Sequence, residues 1–203
     1  MSQLISRPYW YLRHGETDWN RQGLAQGSTD IPLNATGEQQ AVLAGKALAD
    51  LFRSGQKPFS RILSSPLTRA LTTAKTVQAM IEEACALRVP LEVNDELREV
   101  CFGVQEGTLM GDWYKPWIEE GFVPQDAESF HALTARAARA VNTILNSPET
   151  PLIVAHGALF RGLRSAMQLP VDVRLPNAVP LALTPNKQTG WDIEIIPLQA
   201  ARI

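Results

Sequence analysis

Cysteine is scarce in this sequence, neither sign of charge dominates it, and it has no long apolar run. The two cysteines, Cys85 and Cys101, lack metal-site spacing and a secretory context, so neither a disulfide framework nor a cysteine–zinc centre is expected. Nineteen basic residues stand against 21 acidic ones, a formal net charge of -2. A nucleic-acid-binding chain would carry a clear basic excess, so no nucleic acid is expected as a partner. A small anion held by a few clustered arginines stays compatible, because most of the basic residues are Arg, the better residue for bidentate phosphate contacts. No stretch approaches 18 uninterrupted apolar residues, which argues against a membrane-spanning helix and against a membrane partner. The segment MSQLISRPYW has no long apolar run behind a basic start, so a secretory signal is not expected and a cytoplasmic location is the default.

What is present is ordinary for one good-sized core: 203 residues, 45% hydrophobic and 20% charged. Tyr9 to Leu12 is short and apolar enough for a buried strand. Thr17 to Ile31, with Gly23 and Gly27, reads as a long structured loop of the kind that usually has a function. Thr36 to Gln39 has capping-box spacing with Thr36 as N-cap, and alanines and leucines follow at helical spacing to about Phe52. Phe59 to Leu63 reads as a second strand. Ser65 as N-cap and Pro66 at the first helical position predict a helix to about Glu83. Arg88 to Leu91 is a third apolar piece, and Glu92 to Gly107 is an acid-rich loop. The aromatic stretch Thr108 to Phe130 loses periodicity, apart from a short helix over Leu109–Glu119. A long helix over Ala127–Leu145, a buried strand over Leu152–Ala155 and a helix over Ala158–Met167 complete the alternation. Ala178–Thr184 and Trp191–Pro197, joined by the turn Pro185–Gly190, predict an antiparallel pair. Strands alternating with helices imply a single α/β domain over 1–203, with a mostly parallel sheet and helices on both faces.

Two of the three histidines, His14 and His156, immediately follow predicted strands and precede a glycine. In a parallel sheet both emerge at the same carboxyl edge, where open α/β folds keep their binding crevices. Arg13 precedes His14, and Arg69 sits in the first turn of a helix that starts at that edge, an unusual place for a cation unless an anion is bound there too. The minimal site is therefore Arg13, His14, Arg69 and His156, with Glu99 or Glu96 arriving on the acidic loop. Two arginines and a helix N-terminus can cradle a dianion. A neutral imidazole is a competent nucleophile toward phosphorus, and a second imidazole, if protonated, adds a charge-assisted donor. A carboxylic acid can protonate the leaving alcohol and later activate water. Cationic side chains neutralise the charge in such a site, so no metal and no cofactor is expected. Taken singly, each of these residues also has a plain reading. Arg69 could lie on the surface and Glu96 and Glu99 in a solvated loop, while His131 beside Phe130 reads as packing. Two histidines and a glutamate could ligate a metal, although the adjacent arginine opposes this by charge.

LRHGETDWN at 12–20 resembles the Arg-His-Gly signature of the histidine phosphatase superfamily, which includes the cofactor-dependent phosphoglycerate mutases. RQGLAQGSTDIPLNATGEQQA, SSPLTRALTTA at 64–74, LREVCFGVQEG at 97–107 and VAHGALFRG at 154–162 are similar to its further blocks, in order. The resemblance implies a three-layer α/β/α sandwich with a mostly parallel mixed sheet, and a reaction through a covalent phosphohistidine. By position it implies His14 as the phosphorylated histidine and Arg13, Arg69 and His156 as the phosphate pocket, with Asn20 close by. It also favours Glu99 over Glu96 as the proton donor. The acceptor is water in the phosphatases and a second hydroxyl in the mutases.

The segment 108–125 departs from the mutase pattern, which carries paired arginines after the equivalent of Gly107. TLMGDWYKPWIEEGFVPQDAESF offers only Lys115, so a monophosphate with an uncharged or apolar organic part is expected under this variable lid, contacted by Trp113, Tyr114 or Trp117. A phosphatase acting on a small phosphorylated metabolite is favoured over a mutase, and both over a non-catalytic phospho-ligand binding module. Monomer and homodimer stay equally open.

Overall fold

Alternation within YWYLR decides how the first strand, β1 (Tyr9–Arg13), is buried. Tyr9 and Tyr11 point into one core cluster and Leu12 into another, as the two-residue period of a strand requires. A strand buried on both faces belongs in the interior of a sheet. In a computed structural model, which describes residues 3–188 and 190–198, β1 lies inside a six-stranded sheet with β2 (Arg61–Ser64), β3 (Leu91–Val93), β4 (Pro151–Ala155), β5 (Pro180–Asn186) and β6 (Gly190–Ile195). The order is β3-β2-β4-β1-β5-β6. The pairs β1–β4, β2–β4 and β2–β3 are parallel, whereas β5 runs antiparallel to both β1 and β6. Thr189 in the β5–β6 turn lies outside the described residues, as do residues 1 and 2 of the N-terminal stretch.

Helices cover both faces, so the architecture is a three-layer α/β/α sandwich with a mostly parallel mixed sheet. On one face, α2 (Ala35–Arg53) and α3 (Thr68–Cys85) bury Leu48 and Val77 against Ile62, Leu152 and Val154. On the other, α5 (Phe130–Leu145) and α6 (Gly157–Ala166) bury Leu133, Val141 and Leu159 with Tyr9, Tyr11 and Ile153. Each such aliphatic side chain contributes roughly 1.5–3 kcal/mol when fully buried. Among the described residues, no helix is long and apolar enough to cross a membrane.

Several element ends differ from the expected ones, and each has a local cause. The stretch 17–31 is not all loop. It opens with a short helix, α1 (Asp18–Gln22), in which Thr17 and Asn20 form the reciprocal capping box. The cap of α2 is Asn34 rather than Thr36, because its side-chain oxygen already accepts from the Gly37 amide at 2.9 Å. α3 starts at Thr68, not at Pro66, and Ser65 does not cap it. Instead Asp30, reaching over from the loop, accepts from the amide and hydroxyl of Thr68 at 2.8 and 2.7 Å. The aromatic segment forms only α4 (Tyr114–Glu119), and α5 begins at Phe130 behind its cap Ser129.

Candidate functional site

Parallel pairing puts the ends of β1 and β4 side by side, with Arg13 opposite Ala155. The next residues, His14 and His156, therefore meet at the carboxyl edge of the sheet. Their ring centroids are 5.2 Å apart, and the His14 amide donates to the Ala155 carbonyl at 3.0 Å. Gly15 has a steric reason to be glycine. A Cβ there would stand 2.3 Å from the Gly37 carbonyl oxygen, so the turn after His14 can pack on the start of α2 only without a side chain.

His14 is buried, and its Nδ1 lies 2.7 Å from the Gly15 carbonyl oxygen. A carbonyl only accepts, so Nδ1 carries the proton and Nε2 of the neutral ring is the basic nitrogen. Burial, with the cations Arg69 and Arg13 nearby, holds the His14 imidazolium well below the usual histidine range. His156 is pushed down in the same way, by burial first and then by Arg69. Both shifts favour the neutral imidazole, which does not fit the expectation of a protonated second imidazole. The Nε2 of His156 pairs with the Ser65 hydroxyl at 2.8 Å. The Ser65 hydroxyl also accepts from the Leu67 amide and can either donate to that Nε2 or accept from it; the first arrangement leaves the His156 proton on Nδ1.

Arg69 is fully buried, with its two terminal nitrogens donating to the carbonyls of Gly27 and Thr29 at 2.7 and 2.8 Å. Desolvation lowers its pKa to about 10, with Glu99, Asp30 and Glu106 opposing the shift. Arg13 is held by the Leu175 carbonyl at 2.7 Å. The nitrogens Arg13 Nε, Arg69 Nε, His156 Nδ1 and Gln26 Nε2 are buried and have no protein hydrogen-bond partner among the described residues. An orphaned buried donor costs about 1–3 kcal/mol, and a site that tolerates several of them suits an oxyanion.

Glu99 is nearly buried and lines, with Arg13 and Gly157, a cavity whose wall does not include His14, Arg69 or His156 themselves. One of its oxygens accepts from the amides of Val100 and Leu159 at 3.0 and 2.8 Å, the other from Ala158 alone at 2.9 Å. Burial raises its pKa against the pull of these donors. Glu96 sits elsewhere, half-buried and paired twice with Arg139 at 2.9 Å. The helix starts at this edge therefore hold the chain's own carboxylates, Asp30 on α3 and Glu99 on α6. This corrects the expectation that a helix N-terminus beside Arg69 waits for a bound anion.

The cavity, about 310 Å³, is bounded by Arg13, Asn20, Gln26, Glu99, Tyr114 and Gly157, among others. Asn20 accepts from Asn177 at 3.2 Å, and Asn177 also donates to the His14 carbonyl at 2.9 Å. Of the three lid aromatics only Tyr114 reaches the cavity. Trp117 is buried, its indole N–H donating to Glu128, and Trp113 packs edge-on against Phe102. His131 is exposed on α5. Residues that the sequence pattern did not single out also line the wall: Gln26, Arg161 and Arg174. The two arginines correct the expected charge balance, because cations missing from the lid arrive from α6 and from the segment before β5.

The model of one family, described as the histidine phosphatase superfamily (branch 1), matches residues 9–184. The chain is 34% identical over 154 residues to "Uncharacterized phosphatase PhoE" of Bacillus subtilis (strain 168), covering 75% of this chain and 72% of that protein. It is 34% identical over 200 residues to "Probable phosphoglycerate mutase GpmB" of Serratia proteamaculans (strain 568), covering 90% of this chain and 86% of that one. Among solved structures, a mycobacterial glucosyl-3-phosphoglycerate phosphatase complexed with VO3 superposes with a TM-score of 0.74 at 26% identity, over 96% of this chain and 100% of that chain.

Proposed function

The chain belongs to the histidine phosphatase superfamily, branch 1, and on that premise we propose that residues 1–203 form one phosphomonoesterase domain hydrolysing a small phosphorylated metabolite through a phosphohistidine on His14. The observation that carries this reading is the commitment of Nδ1 to the Gly15 carbonyl, which leaves Nε2 as the nucleophile of a neutral imidazole.

In the first step Nε2 of His14 attacks phosphorus in line, and the bond from phosphorus to the leaving oxygen breaks. Arg13 and Arg69 take up charge on the equatorial oxygens, and the Nδ1–H of His156 donates to the same group. Glu99 gives its proton to the leaving alcohol. The proton sits on the oxygen that accepts only from Ala158, since the other already serves two amides. In the second step the Glu99 carboxylate takes a proton from water as that water attacks phosphorus, and the P–N bond breaks to release phosphate and neutral His14. Asn20, held by Asn177, borders the phosphoryl group. Tyr114 is the lid residue that meets the organic part of the substrate.

Water as acceptor is supported by the lid, which brings Met110 and Tyr114 but no cation to the cavity. Its one lysine, Lys115, lies 3.7 Å from Glu119 instead. Transfer to a second hydroxyl, as in a mutase, is the competing reading, and Arg161 and Arg174 on the cavity wall favour it. A panel of phosphomonoesters assayed for phosphate release beside interconversion of 3- and 2-phosphoglycerate decides between the two. Release is expected to dominate, whereas rapid isomerisation with little release overturns the hydrolase reading. His14→Ala is expected to abolish both turnover and acid-labile labelling of the protein. Retained labelling excludes the phosphohistidine on His14.

A further inference from the structure

The cavity carries more positive charge than one phosphoryl group requires. Beyond Arg13, its wall includes Arg161, which lies on α6 five residues past His156, and Arg174, from the segment leading to β5. Neither forms an ion pair with another described residue. Glu99 is the sole acid on that wall among the described residues, and three amides already hold its carboxylate. Arg161 is fixed in place. It donates to the Val171 carbonyl, and its guanidinium carbon lies 5.6 Å from the centre of the Tyr114 ring. The Val171 contact also ties α6 to the segment that carries Arg174 and Leu175, the residue whose carbonyl holds Arg13. A fixed, stacked guanidinium beside an exposed one is an arrangement suited to a carboxylate or phosphate.

We propose that Arg161 and Arg174 form an anion subsite in the cavity that Arg13 and Glu99 also line, and that the substrate is a phosphomonoester whose organic part bears a second anionic group. Tyr114 lies between that group and the aromatic cluster on Phe102. The proposal rests on the phosphoryl-transfer reading above and holds for either acceptor. It reverses the inference drawn from the lid alone, because the neutralising charge comes from α6 and from the segment before β5.

The test uses paired probes that differ in the second charge. 3-Phosphoglycerate against glycerol 3-phosphate tests a carboxylate, and propane-1,3-diol bisphosphate against its monophosphate tests a second phosphate. The wild-type kcat/KM is expected to favour the charged member of at least one pair by roughly tenfold or more, the scale of a charge-assisted hydrogen bond. Which pair shows the preference identifies the anion. Arg174→Gln and Arg161→Gln should each collapse that ratio, whereas Arg161→Lys, which keeps the charge, should retain part of it. Calorimetric binding of the same pairs to the His14→Ala variant gives the same ratio without turnover. A preference near one for both pairs, in turnover and in binding, overturns the subsite while phosphohistidine chemistry stands. A preserved preference with isomerisation in place of hydrolysis overturns the phosphatase reading and leaves the subsite intact. A preference that survives both glutamine variants assigns it to other residues and overturns the proposal.

Discussion

Replacing Glu99 with Gln separates proton donation from positioning. In the folded protein one carboxylate oxygen accepts from two amides, and a Gln carbonyl in that place can keep both. The amide nitrogen then occupies the other site and faces the Ala158 N–H, which the native oxygen meets at 2.9 Å. Two donors opposed in a buried site cost about 1–3 kcal/mol, and losing a buried carboxylate offsets part of that. For a chain of this size such a loss lowers Tm by only a few degrees, so the variant stays folded at 25 °C. Any larger effect on rate is therefore chemical. An alkyl phosphate needs its leaving oxygen protonated, and its kcat/KM is expected to fall roughly 100- to 10,000-fold, the usual contribution of a general acid. 4-Nitrophenolate leaves without a proton, so its kcat/KM should fall less than about tenfold. kcat should drop for both esters toward a common value set by hydrolysis of the phosphoenzyme, and rapid mixing should show a burst of nitrophenol. The pH profile follows from the direction of the pKa shift. Burial raises the Glu99 pKa, so the acid form persists above the usual carboxylate range. Activity on the alkyl ester is lost as pH rises through that raised value, and Glu99→Gln should lack this limb. Equal losses in kcat/KM on the two esters would refute proton donation and make Glu99 a positioning residue for the start of α6.

Two further outcomes follow from the same contacts. Glu106 accepts from the amides of Ser28 and Thr29 at 2.7 and 2.8 Å and from Phe102 at 3.1 Å, so it fixes the loop whose carbonyls hold Arg69. Glu106→Ala should weaken competitive inhibition by inorganic phosphate roughly tenfold while the ratio of alkyl to nitrophenyl rates stays constant; a changed ratio would mean that Glu106 acts on the leaving group instead. The second concerns stability. His14 and His156 both titrate well below their unfolded value of about 6.5, so the unfolded chain binds more protons in mild acid and stability falls as pH drops below that point. The slope is at most about 1.4 kcal/mol per pH unit for each imidazole. Urea midpoints measured between pH 7.5 and 5 should decline in the wild type and decline less in His156→Ala; equal slopes would assign the effect to other groups.

The pieces of this site that lie at strand ends could be read from the sequence, whereas the pieces placed by tertiary packing could not. His14 and His156 each follow an apolar run and precede a glycine, and parallel pairing of β1 with β4 is enough to bring them together. The helical periodicity of Ala41 to Leu51 marked α2 for the same local reason. Asp30 shows the opposite case. Its capping of Thr68 spans 38 residues, so Ser65 and Pro66 gave a reasonable local signal that a distant carboxylate overrode. Trp113 and Trp117 are expected at the lid from their place after Gly107, but packing against Phe102 and Phe130 leaves only Tyr114 at the cavity. Arg161 lay within a quoted motif, and nothing in its spacing distinguished it from a surface arginine. Arg174 had no local signal at all, because the path of the chain from α6 to β5 alone brings it to the wall.

The use of helix starts changes how the phosphoryl pocket works. Backbone N–H groups at the N-terminus of a helix often bind phosphate directly, but here the Thr68 amide of α3 is engaged by Asp30, and the Ala158 and Leu159 amides of α6 by Glu99. Charge stabilisation must then come from side chains, and those side chains are held from outside the pocket: Arg69 by two loop carbonyls, Arg13 by the Leu175 carbonyl and His156 by Ser65. On the proposed mechanism, the amides of Ala158 and Leu159 hold the acid catalyst in position instead of binding substrate. Such a division suits a reaction in which one carboxyl group must give up a proton and then take one back, since the donors of α6 fix its position in both states. It also suits neutral imidazoles, because Arg69 and Arg13, which discourage protonation of His14, are on the proposed mechanism the groups that attract the dianion to it.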